Sequence, residues 1–408
     1  MSLCINPQCQ QSHNSDTLLF CKGCGSELLI DGRYRVQNSL GQGGFGLTYE
    51  ILDLHSQPKV LKVLTDNNPK YVELFQQEAR VLEIMNHPGI PNLDLNGYFT
   101  YYPQDIEEPL HCIVMEKIEG LNLEEYLDKR GNKPIFYKRA LRWLAELSLI
   151  LEQVHNLNFF HRDIKPSNIM LKADGCLVLI DFGTVRQVSN TYIQKQSAGL
   201  ITGVISSGYT PAEQMRGKAT KQSDFYALGS TLIFLLTASN PLKFYNSQKD
   251  KIEWSNAVEN IPSDFVRLID SMVSSFPINR PKNAKDIFQE IIKIDPSLQS
   301  VKNYWEKSSS LPLHQPDRTY TSTNSRSTLK PIINSIYEEQ NNSEREVSAE
   351  FINRTRKELA EFIGPIANII CDRTLASNPN SSITEFVRAL AKKIPNAKDA
   401  RKFEDSLL

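Results

Sequence analysis

At 408 residues, with 46 Lys and Arg against 47 Asp and Glu for a net charge of -1, the chain exceeds one ordinary domain and has no bulk basic excess to drive nucleic-acid binding. A hydrophobic fraction of 40% with 23% charged residues excludes a wholly disordered or collagen-like polymer and predicts a globular protein with a sizeable core. The totals of 19 Gly and 7 Cys are ordinary, but Cys4, Cys9, Cys21 and Cys24 fall in one short window and Gly41, Gly43, Gly44 and Gly46 in another.

The first thirty residues are polar and cysteine-bearing, with no basic stretch followed by an apolar one, so no export signal is expected. The longest mostly apolar run, Ala227 to Ala238, is too short for a bilayer, which asks for about 20 residues, and reads as a buried helix. A soluble, cytoplasmic chain without a membrane span is the expectation. In a reducing compartment an odd number of cysteines is not a disulfide framework. Four residues separate Cys4 from Cys9 and two separate Cys21 from Cys24, and two such thiolate pairs suit one tetrahedral Zn²⁺. The alternatives are unrelated thiols in a tail, or a redox dithiol at Cys21 and Cys24. His13 is near enough to ligate, but four thiolates already complete a structural site.

Strand-like alternation begins at Arg33, Tyr34 and Val36, which puts a boundary near Asp31. The segment Leu40-Gly-Gln-Gly-Gly-Phe-Gly-Leu-Thr48 then places Gly41, Gln42, Gly43, Gly44, Phe45 and Gly46 in a loop between two strands. Glycines there let backbone N–H groups approach phosphates without a Cβ in the way, although spaced glycines also make ordinary turns. Lys59 to Leu64 reads as a strand carrying Val60 and Lys62, and the helical stretch after it holds Glu78. Together the Lys62 ammonium and the Glu78 carboxylate suit a polyphosphate; apart, they are two solvated charges. Helical spacing recurs at Leu144, Leu147, Leu151 and Val154, at Phe265, Leu268, Ile269 and Met272, and at Ala284, Ile287, Phe288 and Ile291. Strands therefore come early and helices late.

His161-Arg-Asp-Ile-Lys-Pro-Ser-Asn168, followed by Ile180-Asp-Phe-Gly183 at a strand end, resembles the eukaryotic-type serine/threonine protein kinases, with the motifs in order over about residues 33 to 294. The resemblance implies an α+β, bilobal fold with a β-rich amino-terminal lobe and a helical carboxyl-terminal lobe. It also implies transfer of the γ-phosphoryl group of Mg-ATP to Ser and Thr hydroxyls of proteins. Asp163 takes the place of the aspartate that orients the substrate hydroxyl, and Lys165 that of the lysine that neutralises the transferred group. Asn168 and Asp181 are hard oxygen donors suited to Mg²⁺. Ile113-Val-Met-Glu-Lys-Ile118 resembles the hinge strand, with Met115 as gatekeeper and the backbone of Glu116 and Ile118 against adenine; Leu40, Thr48, Val60 and Met170 complete the nucleotide pocket. Arg280 is the expected partner of Glu213, and Asp224 sits in the buried helix.

Some positions depart from the family pattern. Pro211-Ala-Glu213 permutes the usual Ala-Pro-Glu, Ser206 stands in place of a threonine, and Thr48 and Val60 replace valine and alanine over the adenine. Arg162 suggests phosphate reading on the segment from Asp181 to Glu213, where Thr184, Ser189, Thr191, Ser197 and Thr202 offer hydroxyls for autophosphorylation. The competing readings are a catalytically silent kinase-fold scaffold and a small-molecule phosphotransferase; Arg162 and Lys165 favour a protein substrate.

Ser308 to Ser343 is rich in Ser, Thr, Asn and Pro without apolar period. The expected plan is a zinc-ribbon-like segment over 1–30, a kinase domain over 31–295, a flexible linker over 296–345 and a helical domain over 346–408. Three helices are expected in the last, one ending near Phe362, one opening at Pro365 and one built on Phe386, Val387 and Leu390. Phe362-Ile-Gly-Pro-Ile-Ala367 faintly resembles helical regions of cyanobacterial signalling proteins, as the cysteine segment resembles those on some cyanobacterial kinases. A plain bundle and self-association remain open for it.

Overall fold

The alternation that begins at Tyr34 becomes one face of an antiparallel sheet in the computed structural model, which describes residues 1–43, 46–183, 186–187, 205–310, 349–363, 367, 370–371, 374–375, 383–394 and 396–407. In chain order the strands of this half are β1 (Ser2–Leu3), β2 (His13–Asn14), β3 (Leu29–Ile30), β4 (Tyr34–Gly43), β5 (Gly46–Leu52) and β6 (Pro58–Leu64). Helix α1 (Pro69–Ile84) intervenes before β7 (Leu93–Tyr101) and β8 (Leu110–Glu116). Six of these strands form one sheet in the order β3-β4-β5-β6-β8-β7, and β1 pairs with β2 outside it. Inward positions Val36, Ile51, Leu61, Val63, Cys112 and Val114 form its core.

The cysteine segment is continuous with this sheet. Its last strand, β3, pairs with β4 through Leu29–Arg35 and Ile30–Tyr34, and Ile5 is buried in the sheet's own core. Hydrogen bonds from Tyr101 Oη to the Glu27 carbonyl (2.8 Å) and from the Gln104 N–H to Ser26 Oγ (2.9 Å) tie it to the β7–β8 connection. The break near Asp31 is a turn between paired strands, with Asp31 and Gly32 both at positive φ.

Asn68 caps α1 by accepting the Lys70 N–H, and Pro69 starts the helix where its missing donor costs nothing. Below the sheet follow β9 (Gly120–Asn122), α2 (Leu123–Lys129), α3 (Tyr137–Asn156), β10 (Phe159–Phe160), β11 (Ile169–Lys172), β12 (Leu177–Leu179) and β13 (Arg186–Gln187). Next come α4 (Ala212–Met215), α5 (Lys221–Thr237), β14 (Tyr245–Asn246), β15 (Lys251–Ile252), α6 (Ser263–Met272), α7 (Ala284–Ile294) and α8 (Gln299–Ser310). Asn122 and Glu125 form a reciprocal capping box at the start of α2. The apolar run from Ala227 lies in α5, buried on nearly all sides as a helix at the centre of a bundle must be. Among the described residues no helix is long and apolar enough to cross a membrane.

The first fifteen residues of the expected linker are ordered otherwise. Pro296–Leu298 is a 3₁₀ turn capped by Asp295, and α8 buries Val301 and Trp305, four apart and so on one helix face, against α3. The polar composition around those two residues hid the helix. The rest of that linker, 311–345, lies outside the described residues.

Residues Met1–Pro312 form one compact unit and Leu313–Leu408 a second. Within the second, α9 (Ala349–Ile363), α10 (Ile383–Ala391) and α11 (Ala397–Leu407) bury Leu359, Phe386, Val387, Leu390 and Phe403. Phe362 meets Phe403 edge to face at 6.0 Å. Of the helix expected at Pro365, Ala367, Ile370, Cys371, Thr374 and Leu375 are described and helical, the first three of them buried, whereas Pro365 itself lies outside the described residues. Helix α11 was not legible, since Phe403 and Leu407 are its only large apolar residues.

Candidate active site and cysteine cluster

Strand β6 runs between β5 and β8, so Lys62 lies opposite Thr48 on one side and Ile113 on the other. Its ammonium points between the lobes, 2.6 Å from Glu78 Oε1 on α1 and 2.7 Å from Asp181 Oδ1 after β12. Burial opposes the ammonium, but the Asp181 and Glu78 carboxylates outweigh it and hold its pKa above the ordinary lysine value. The same pairing with Lys62 pulls Asp181 down to about 2, against the effect of burial. Burial dominates at Glu78 and raises it, with Lys62 opposing. Charged Lys62 and Asp181 are therefore present together throughout the neutral range.

Gly183 follows this pair. A Cβ there would come 3.1 Å from Glu78 Oε2 and 3.4 Å from Asp181 Oδ1, so a side chain would press on the Glu78 carboxylate and ask it to shift by a few tenths of an ångström. Gly46 is constrained more severely: a Cβ would lie 1.9 Å from the Val63 carbonyl oxygen. A Cβ at Gly41 would meet nothing within 4 Å. Strand β4 carries Leu40, Gly41, Gln42 and Gly43, pairing Gly41 with Thr48 and Gln42 with Leu47. Gly44 and Phe45 lie outside the described residues.

Across the cleft, the turn from β10 to β11 carries the second charged group. Asp163 Oδ1 accepts from Ser206 Oγ at 2.6 Å, and its Oδ2 accepts from Lys165 Nζ at 2.8 Å and Asn168 Nδ2 at 3.0 Å. Lys165 also reaches Ser206 Oγ at 3.3 Å, so serine makes the bridge expected at this position. Asn168 spends its amide N–H₂ on Asp163, including the backbone carbonyl at 2.8 Å, which leaves its Oδ1 as a donor for a cation. The Ile180 N–H bonds the Asn168 carbonyl at 2.9 Å and brings the Asp181 turn alongside. A carboxylate and an amide oxygen, as hard oxygen donors, suit Mg²⁺ better than a softer ion.

The turn is held from below. Buried Asp224 on α5 accepts the His161 N–H (2.9 Å), the Arg162 N–H (2.8 Å) and His155 Nε2 (2.8 Å). Gln214 Nε2 donates to the Arg162 carbonyl at 2.6 Å. Arg162 and Asp181 both adopt positive φ, a conformation that non-glycine residues keep only where surrounding bonds enforce it. Arg280 reaches Glu213 at 2.6 Å, as expected, and lies over the Tyr226 ring. Thr184, Ser189, Thr191, Ser197 and Thr202 lie outside the described residues.

The residues expected around adenine come from strands of both lobes. Met115 is buried opposite Val60, and Met170 on β11 pairs with Asn122 of β9 just beyond Glu116 and Ile118. Two anchors of this hinge were not read from the sequence. Glu116 Oε2 accepts from Asn92 Nδ2 at 2.9 Å, and Lys117 is paired with Glu50 at 2.7 Å. His155 and Gln214 were missed too; each is 50 or more residues from its partner, and no local pattern marks them.

The four amino-terminal cysteines converge. Their sulfurs all lie within 4.8 Å of one another, with Cys4–Cys24 and Cys9–Cys21 at 3.6 Å. Tetrahedral Zn²⁺ with bonds of about 2.3 Å sets its sulfurs about 3.8 Å apart, close to the two 3.6 Å pairs, so four thiolates at these separations are a donor set that could hold that ion. Burial pushes the Cys4 and Cys9 thiols up. At Cys21 donors including Asn14 Nδ2 and the Cys24 N–H overcome burial and bring it down to about 6; Ser26 acts likewise at Cys24. His13 is not part of the cluster. Cys112 is buried in the sheet core.

The protein kinase domain model matches residues 34–300, and a domain of unknown function, DUF8082, matches residues 350–408. The chain is similar to serine/threonine-protein kinase B of Synechocystis sp., at 33% identity over 71% of this chain and 52% of the relative. It is similar also to serine/threonine-protein kinase PknA of Nostoc sp. (35%, 65% and 48%) and to serine/threonine-protein kinase PrkC of Bacillus subtilis (30%, 64% and 40%). The chain spans about half the length of the curated relatives it matches.

Proposed function

Because the chain belongs to the protein kinase family through residues 34–300, we propose that it transfers the γ-phosphoryl group of Mg-ATP to Ser and Thr hydroxyls of protein substrates. The observation that carries this reading is the facing pair of charged assemblies: Lys62 between Glu78 and Asp181, and Asp163 between Ser206 and Lys165. Phosphoryl transfer needs little covalent help and much positioning, so a site made of fixed charges suits it.

Each residue has a task that its surroundings support. Asp163 orients the attacking hydroxyl and takes its proton, with Ser206, Lys165 and Asn168 fixing the carboxylate plane. Lys165 offsets charge on the group in transit. Lys62, kept cationic by its two carboxylates, holds the α and β phosphates, while Glu78 keeps it aimed. Asn168 and Asp181 would hold magnesium, which supplies charge neutralisation at the phosphate oxygens. The backbone of Gly41, Gln42 and Gly43 at the end of β4 and of Gly46 at the start of β5 would face the phosphates. Leu40, Thr48, Val60, Met115, Met170 and the Glu116 and Ile118 backbone enclose the adenine.

The proposal extends to a structural Zn²⁺ on Cys4, Cys9, Cys21 and Cys24 and to a reducing, cytoplasmic setting that keeps those thiols unbridged. Autophosphorylation between Asp181 and Glu213 and self-association through the carboxyl-terminal helices belong to the same reading.

The test is transfer of labelled phosphate from ATP to a generic protein substrate by the full chain. Asp163→Asn keeps the shape and removes the base, and should lower the rate by about 10³-fold. Equal labelling by wild type and Asp163→Asn, or none by wild type, would overturn the reading.

A further inference from the structure

The turn after α1, Asn86 to Ile90, is where the elements that carry Glu78 and Asp181 meet. Helix α1 ends at Ile84, and the Gly89 carbonyl accepts the Leu179 N–H at 2.8 Å, two residues before Asp181. The turn also presses on α3: a Cβ on Gly89 would come 2.5 Å from Ile150 Cδ1. His87 braces it from within, its Nδ1 accepting the Gly89 N–H at 3.0 Å. That bond assigns the ring proton to Nε2, and burial, which brings His87 down to about 4, keeps the imidazole neutral.

The outer face of the imidazole is covered by a residue that lies beyond the kinase domain match. Trp305 on α8 stacks on His87 with ring centroids 4.8 Å apart and planes 15° from parallel, and only 4% of the tryptophan is exposed. The match ends at residue 300. Helix α8 is seated by Val301 on the same face, and the Tyr304 hydroxyl bonds the Cys176 thiol between β11 and β12.

We propose that Trp305 is a positioning residue for phosphoryl transfer: stacked on His87, it fixes the turn that sets α1, and with it Glu78 against Lys62, and β12, and with it Asp181. The inference rests on the kinase reading for its catalytic consequence. Its structural content, that α8 holds the α1 end of the cleft in place, stands independently. A flat ring is required because an aliphatic side chain fills volume without fixing the plane and tilt of the imidazole. Loss of the stack leaves every charged residue in the chain and lets α1 settle away from the distance at which Glu78 meets Lys62. Small displacements of that kind lower turnover in positioned charge chemistry far more than they lower stability.

Full-length Trp305→Leu and Trp305→Phe are compared with wild type by steady-state kinetics and amide hydrogen exchange, with thermal unfolding measured for each. Trp305→Leu keeps most of the volume and is chosen over alanine so that the protein folds. Expected for it are a kcat about tenfold lower with KM for the protein substrate unchanged, and about tenfold faster exchange over residues 79–90 and 177–181. Trp305→Phe should restore both to within about twofold, because it returns a flat ring to the imidazole. Wild-type kcat and exchange in Trp305→Leu would overturn the proposal, as would a Phe variant as impaired as the Leu variant. Absence of transfer by wild type sinks the kinase reading instead, and the exchange comparison then still decides whether α8 holds the turn.

Discussion

The two walls of the cleft hold their charges by different means. On the upper wall Lys62 is fixed by side chains alone, one carboxylate from α1 and one from the Asp181 turn, 16 and 119 residues away in sequence. On the lower wall the turn bearing Asp163 is fixed through its backbone, whose His161 and Arg162 N–H groups end on one buried aspartate. Side-chain ion pairs can be exchanged for phosphate oxygens when a nucleotide arrives. Backbone bonds to a fully buried carboxylate have no such competitor, because every alternative leaves polar groups unpaired away from water. One wall is therefore built to rearrange and the other to stay.

The contrast is broken most forcefully at Asp224. Asp224→Ala removes the acceptor of two buried N–H groups and of His155 at once, and should cost about 3–5 kcal/mol of stability in calorimetric or denaturant unfolding. Loss below about 1 kcal/mol would mean that the lower wall is not anchored there. Glu78→Gln tests the upper wall. It should lower kcat about 10²-fold at saturating ATP, with a change in unfolding midpoint of only a few degrees, since the amide keeps the shape and loses the charge that aims Lys62. Comparable stability loss in both variants would erase the difference between the walls.

The same contrast explains what sequence could and could not reveal. Asp163, Lys165 and Asn168 fall within one six-residue stretch, where the chemistry restricts residue type at each position, so the lower wall's reactive groups were legible. Lys62, Glu78 and Asp181 were brought together by the order of motifs and not by local spacing. The anchors were silent: His155 for Asp224, Asn92 for Glu116 and Trp305 for His87 are single residues whose partners are far along the chain. Helix α8 was lost inside an expected linker because two buried residues among polar neighbours leave a weak period. The continuity of the cysteine segment with the sheet was equally hidden, because β3 has only two residues and Leu3 to Ile5 is too short an apolar stretch to show a period.

That continuity yields a milder prediction for the upper wall. The clustered cysteines pack with Leu28, and Ile5, next to Cys4, and Ile30 of β3 are buried in the core of the sheet. Stripping zinc with a strong chelator, or Cys21→Ser, should release about one equivalent of metal and lower stability by roughly the burial of one aliphatic side chain, about 2 kcal/mol. Metal analysis and calorimetry on the same sample check both halves. A freshly purified chain without stoichiometric zinc would remove the metal, and an unchanged unfolding curve would remove its link to the sheet.

The smallest effect concerns pH and the turn that joins the two walls. His87 is held neutral by burial, with its pKa down to about 4, whereas in an unfolded chain it takes a proton near 6.5. Between those values the unfolded state binds more protons than the folded one, so stability rises with pH. The contribution is whole above about pH 6.5 and is lost as pH falls toward 4. From pH 7 to 5.5 the histidine accounts for about 1 kcal/mol of lost stability. His87→Gln removes that titration and keeps a side-chain acceptor within the turn. Wild type minus variant should therefore show a falling difference across this interval, measured by denaturant unfolding at each pH. A flat difference would mean that His87 charges without leaving its place under Trp305, which would make the stack a weaker brace than its 4.8 Å geometry implies.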